Sequence, residues 1–140
     1  MNIRVPKAII AGLTGTAAMT IMSVYVAPMM GLAPMNPADM LAGQMGGNMM
    51  LGWAGHLMLG VVFAVVYAVV AARLPGPVVA RGALFGVLPW LLAQVMVMPM
   101  MGMGLFSGSM KVAVGSLIGH LVYGGVVGLV YGDPGVDTSR

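Results

Sequence analysis

The 140-residue chain has no cysteine and no glutamate, and its carboxylate side chains are Asp39, Asp133 and Asp137 alone. Without cysteine there are no disulfides, thiolate metal sites or thiol nucleophiles, although the redox compartment stays open. Asp39 lies in a connecting segment, and Asp133 and Asp137 lie at the C-terminal end. None stands near a histidine, so neither a general acid–base pair nor a nucleophile–base–orienter triad can be assembled, and the chain is expected not to be an enzyme. Charge of either sign is scarce: 6% of residues are charged and 60% are hydrophobic. With a mean hydropathy of +1.01, that composition excludes a water-soluble domain and describes an integral membrane protein. The six cations behind the net charge of +3 are scattered and make no basic patch. Lipid headgroups rather than nucleic acid are their expected partners.

Four apolar stretches, at 7–28, 51–72, 78–101 and 112–132, are each near the ~20 residues a helix needs to cross the hydrocarbon core. They leave almost nothing for a separate soluble domain. Arg4, Lys7, Arg73, Arg81 and Arg140 fall on one side of these spans and Lys111 on the other. The positive-inside rule then puts both termini and the 73–81 turn in the cytoplasm of a bacterial inner membrane, with the 29–50 and 102–111 connections outside. Arg4 and Lys7 before an apolar run could also open a secretory signal peptide, but the first span has a twin further along the chain and is expected to be kept.

That twin belongs to an internal duplication. Pro6, Gly15 and Pro28-Met29-Met30-Gly31 recur 71 residues later as Pro77, Gly86 and Pro99-Met100-Met101-Gly102. Gly55-His56-Leu57, Gly60 and Val66-Tyr67 recur 64 residues later as Gly119-His120-Leu121, Gly124 and Val130-Tyr131. The expected architecture is an all-α bundle of four transmembrane helices. It is built as two tandem hairpins, 6–73 and 77–132, with an outer loop at 29–50, a cytoplasmic tail at 133–140 and a pseudo-two-fold axis along the membrane normal.

His56 and His120, the protein's two histidines, sit inside apolar spans, where an ionisable side chain marks a candidate site. Each lies on a four-spaced row of small residues: Gly52, His56, Gly60, Ala64 and Ala68 in one span, Ser116, His120, Gly124, Gly128 and Gly132 in the other. Such rows are packing faces, so both imidazoles should point into protein and Gly60, Ala64, Gly124 and Gly128 should hold helices together. Ser23 and Gln94 lie at similar depth on the other two spans and are themselves 71 residues apart. The four side chains are expected to form a polar cluster in the outer third of the bundle, with Pro89 bending the third span below it. Trp53, Tyr25 and Tyr123 suit an interfacial belt.

Four uses of the histidine pair follow, one of them quinone or proton handling, since histidine can titrate near neutral pH. The rings can bond across helices to Ser23, Gln94 or backbone carbonyls and serve structure alone. They can ligate a haem b, since a bundle diagonal of about 11–14 Å suits two imidazoles and an iron, although Lys111 is the sole outer cation to meet two propionates. They can hold copper, because 14 of the 17 methionines, Met29, Met30, Met100 and Met101 among them, fall near the outer face and thioethers select Cu(I). Methionine is equally an adaptable apolar filler. The 32–50 segment, rich in proline and glycine, is expected to fold over as a cap or short interfacial helix, with Asp39 capping a helix start.

Leu51-Gly52-Trp53-Ala54-Gly55-His56, Arg81-Gly82-Ala83-Leu84-Phe85-Gly86, Ala93-Gln94, the two Pro-Met-Met-Gly runs and Gly119-His120-Leu121-Val122-Tyr123-Gly124 together resemble a family of small bacterial four-helix membrane proteins of unknown function. The resemblance covers nearly the whole chain. It implies four spans and brings no activity with it. The expected role is an accessory or assembly component of a larger membrane complex, with a homodimer as an alternative partner arrangement.

Overall fold

The computed structural model describes residues 3–134; Arg140 and most of the 133–140 tail lie outside the described residues. Four helices in it are long and apolar enough to cross a membrane: α1 Val5–Met29, α3 Met49–Arg73, α4 Val78–Met100 and α5 Met110–Tyr131. A short helix, α2 Pro37–Gln44, lies in the connection between α1 and α3. No strand occurs among the described residues. The helix starts follow from local chemistry. Pro6 occupies the first turn of α1, where its missing N–H costs no bond. Asn48 Oδ1 accepts from the amides of Met50 (3.0 Å) and Leu51 (3.2 Å) at the start of α3, and Ser109 caps α5. At α2 the cap is Asn36, whose Oδ1 accepts from Ala38 N at 3.0 Å. Asp39, expected in that role, sits instead inside the first turn, where a carboxylate complements the helix dipole.

The duplication is written into backbone conformation. α1 widens to π-helix at Met22–Val26 and α4 at Ala93–Val97, the same 71-residue offset. Each widened turn lies just before a proline, Pro28 or Pro99. A proline cannot donate and its ring crowds the carbonyl four residues back, here Val24 or Val95, so a wider turn relieves both. Both helices then end alike. Gly31 (φ 76°) and Gly102 (φ 78°) take left-handed backbone, with Leu32 N bonding to Ala27 O and Met103 N to Met98 O across the end. This is the Schellman closure, which favours glycine.

α1 packs against both α3 and α5, and α4 packs along α5. Small residues let the backbones close. A Cβ on Gly124 would strike the Gly82 carbonyl, one on Gly128 the Val78 carbonyl, and one on Gly60 the Thr16 hydroxyl. The two small-residue rows thus pack mainly within their own hairpins, Gly60 on α1 and Gly124 and Gly128 on α4, and Ala64 is fully buried in the core. Gly52 departs from the rule, because the cap helix α2 covers it through Ala38 and Ala42. A strict two-fold would give α3 and α4 the contact that α1 and α5 make. Here α3 and α4 meet at the end carrying the termini, where Tyr67 lies edge-on to Phe85 at 5.3 Å, and make little contact elsewhere.

Arg4, Lys7, Arg73, Arg81 and Asp133 gather at that same end. The Arg4 guanidinium donates to the carbonyls of Tyr131 (3.0 Å) and Asp133 (2.9 Å) and lies over the Tyr131 ring at 4.9 Å, tying the start of the chain to its last helix. Arg81 approaches the Asp133 carboxylate at 3.9 Å. At the opposite, cap end, α2 and the 102–109 connection cover the bundle.

Candidate functional site: a cavity holding both histidines

The divergence of α3 from α4 leaves a cavity of about 380 Å³ in the cap half of the bundle. All four spans line it, and the 32–41 segment roofs it. His56 and His120 both line it, with Ser23, Ser116 and Thr16 as further polar groups and Lys111 at the rim. The remaining wall is apolar, including Met19, Phe63 and Met98. Leu59 of α3 and Leu92 of α4 line the cavity while also being 42% and 38% exposed. The mouth therefore opens between these two helices, within spans long and apolar enough to cross a membrane.

Each imidazole is anchored by one hydrogen bond. Thr20 Oγ1 donates to the Thr16 carbonyl at 2.8 Å, which uses its single proton. The 3.0 Å contact between Thr20 Oγ1 and His56 Nε2 is accordingly one in which Nε2–H donates and the hydroxyl accepts. His120 Nδ1 lies 2.9 Å from the Ser116 carbonyl, which can only accept, so Nδ1 carries that ring's proton. No carboxylate among the described residues lines the cavity, and an unpaired imidazolium in apolar surroundings is costly, so both rings are taken as neutral. His56 Nδ1 and His120 Nε2 are then bare acceptors, and neither has a hydrogen-bond partner among the described residues. The Trp53 ring stands 6.2 Å from the His56 ring and tilted to it.

Gln94 is fully buried but does not line the cavity. Its Oε1 accepts from Ser107 Oγ at 2.8 Å and its Nε2 donates to Ser116 Oγ at 3.3 Å. Ser107 lies in the 102–109 connection with left-handed backbone (φ 58°), so Gln94 pins that connection onto α5. Trp90 reinforces the same seam, its Nε1–H donating to Ala113 O at 2.9 Å. Of the residues singled out from sequence, the structure thus gathers His56, His120 and Ser23 around one space, and links Gln94 to them through Ser116. Met101 also lines the cavity, whereas Met29, Met30 and Met100 are 86%, 57% and 81% exposed on the cap surface. No cluster of three or more histidines or carboxylates forms among the described residues.

Tyr123 is not an interfacial residue. It is 3% exposed, and its hydroxyl donates to the Gly60 carbonyl at 2.6 Å, joining α5 to α3 across the floor of the cavity. Tyr25, at 68% exposure, does face outward. Of the two residues that orient the imidazoles, Thr20 was not singled out from the sequence and Ser116 was placed in the small-residue packing row rather than as a partner of His120. A usable signal was present: Thr16 and Thr20 are one turn apart on α1, and Ser116 lies one turn before His120.

A family of unknown function (DUF6789) has a model that matches residues 3–135. No curated protein and no solved structure matches the chain.

Proposed function

The chain belongs to this family of unknown function, and from that premise we propose that it is a non-enzymatic component of the bacterial inner membrane that holds a membrane-dissolved ligand for a larger membrane assembly. One observation carries the reading: two imidazoles, each anchored through one ring nitrogen, line one cavity that reaches the surface at Leu59 of α3 and Leu92 of α4. A concave, mainly apolar space with a few converging polar groups is what a small-molecule site requires. The absence of any carboxylate from the cavity lining among the described residues supports binding over acid–base chemistry. The cation bias supports a cytoplasmic position for the termini end and an outward-facing cap.

The test is purification in mild detergent followed by mass spectrometry of extracted small molecules. The expected result is an apolar compound in near-stoichiometric amount, depleted in a His56→Phe, His120→Phe double variant that still purifies as a monodisperse protein. Loading no higher than that of an unrelated four-span protein defeats the reading.

A second reading draws on the ring nitrogens not so anchored. Metal-ligating histidines characteristically donate their other N–H to a carbonyl or hydroxyl, as both do here, so the pair could hold haem iron or copper. That reading requires a Soret band, or near-stoichiometric copper by elemental analysis, abolished by either histidine substitution. A colourless, metal-free preparation from replete cells excludes it.

A further inference from the structure

We propose that the ligand of this cavity is a quinol, the reduced dihydroxy form of a quinone, bound in preference to the quinone itself; this rests on the ligand-holding reading above. Donors and acceptors at the site distinguish the two forms. His56 spends Nε2–H on Thr20, and His120 spends Nδ1–H on the Ser116 carbonyl. Each ring presents only a lone pair to an occupant, so an occupant that satisfies both must bring two donors. A quinol supplies two hydroxyls on opposite sides of a flat apolar ring. A quinone has two carbonyl oxygens and no donor. It can accept from Ser23 or Ser116 at the wall or from Lys111 at the rim, but it leaves both imidazole nitrogens facing lone pairs, and unpaired buried acceptors weaken binding.

The rest of the site fits the same class. Met19, Phe63 and Met98 line the space available to a ring, and thioethers pack well against aromatic faces. The mouth between Leu59 and Leu92 lets an apolar tail pass directly into the lipid. The cavity volume of about 380 Å³ lies in the usual range for small-ligand sites. Among the described residues no carboxylate lines it to recognise a cationic ligand, and Lys111 as the single cation in the lining makes a poor site for a multiply charged anion.

The experiment titrates the full chain in nanodiscs with three probes: a decyl-chain benzoquinol kept reduced, the matching benzoquinone, and decanol. Calorimetry against empty nanodiscs gives the affinities. The quinol should bind about tenfold or more tighter than the quinone, as expected when unpaired acceptors gain partners, and tighter than decanol. His120→Phe should lower quinol affinity about tenfold while moving quinone affinity little. Thr20→Val keeps the His56 ring but frees its tautomer, and should shrink the quinol-to-quinone ratio.

Equal binding of quinol and quinone overturns the proposal, as does decanol binding as tightly as the quinol, and in both cases the cavity's role as a ligand site survives. If none of the three binds above the empty-nanodisc background, both readings fail. The wild-type ratio needs no variant, so a misfolded substitution cannot shelter the proposal.

Discussion

Two buried tyrosines show how much a single hydroxyl decides. Tyr67 and Tyr123 are both nearly inaccessible, yet Tyr123 OH has the Gly60 carbonyl as its acceptor and Tyr67 OH has no partner among the described residues. An interhelical hydrogen bond within a membrane is worth on average about 0.6 kcal/mol and up to about 2, whereas an unsatisfied buried hydroxyl costs about 1–3 kcal/mol. Tyr123→Phe should therefore lower the thermal midpoint in detergent, with a loss of about 1 kcal/mol. Tyr67→Phe keeps the edge-on contacts with Phe85 and Tyr131 and should leave the midpoint unchanged or raise it. A Tyr67→Phe loss as large as that of Tyr123→Phe would show that its hydroxyl has a partner after all. The sequence favoured an interfacial Tyr123 because it was read by residue type. Depth points the other way: Tyr123 stands in the middle of α5 and one turn beyond His120, on the inward face. The imidazole partners were hidden for a related reason. Threonine at helical spacing commonly bonds its own backbone, and only the packing of α1 on α3 brings Thr20 to His56.

Helices in this bundle are held by how closely their backbones approach, so glycines divide sharply by what a methyl group would meet. At Gly124 it would meet the Gly82 carbonyl, a backbone atom that cannot yield. Gly124→Ala should force α4 and α5 apart and cost on the order of 1–3 kcal/mol. Gly43 lies inside α2 with open space around it, and Gly43→Ala should stabilise by about 0.5–1 kcal/mol through helix propensity. Thermal unfolding of the two variants in one detergent checks both, and a neutral Gly124→Ala would mean the α4–α5 seam is looser than described. The small-residue rows that mark these seams were readable as four-residue spacing, and so were four spans close to their observed limits. The matched π-helical turns were not, because a run of uniformly apolar residues carries no record of a one-residue shift in hydrogen-bond register. Their cause was nonetheless visible as Pro28 and Pro99, as was the pair of glycine ends that follow.

For the molecule as a whole, the repeated sequence phrases mark what its two halves share, and the site depends on what they do not. α5 touches both α1 and α4, while α3 touches α1 closely and parts from α4; that unequal packing makes the cavity and its mouth. Repeat spacing alone predicts equivalence, so the opening could not be read from it. The visible asymmetry was in the first connection: the repeat offset falls from 71 to 64 across it, so the first copy carries seven more residues there than the second. Part of that connection folds as α2 and covers α3 at Gly52, and part roofs the cavity. Charge makes the halves unequal across the membrane as well, because Arg4, Lys7, Arg73 and Arg81 lie at the termini end and Lys111 toward the cap. This bias favours a cytoplasmic termini end, and the cysteine-free chain allows a clean test. Gln44→Cys, at the exposed end of α2, should react with a membrane-impermeant maleimide in intact spheroplasts, whereas Ala72→Cys, exposed beside Arg73, should react only in inverted vesicles. The opposite pattern would put the cap in the cytoplasm and require that other interactions outweigh four cations at the termini end. Labelling of both positions from one side would break the topology itself, since Met49–Arg73 crosses the membrane between them.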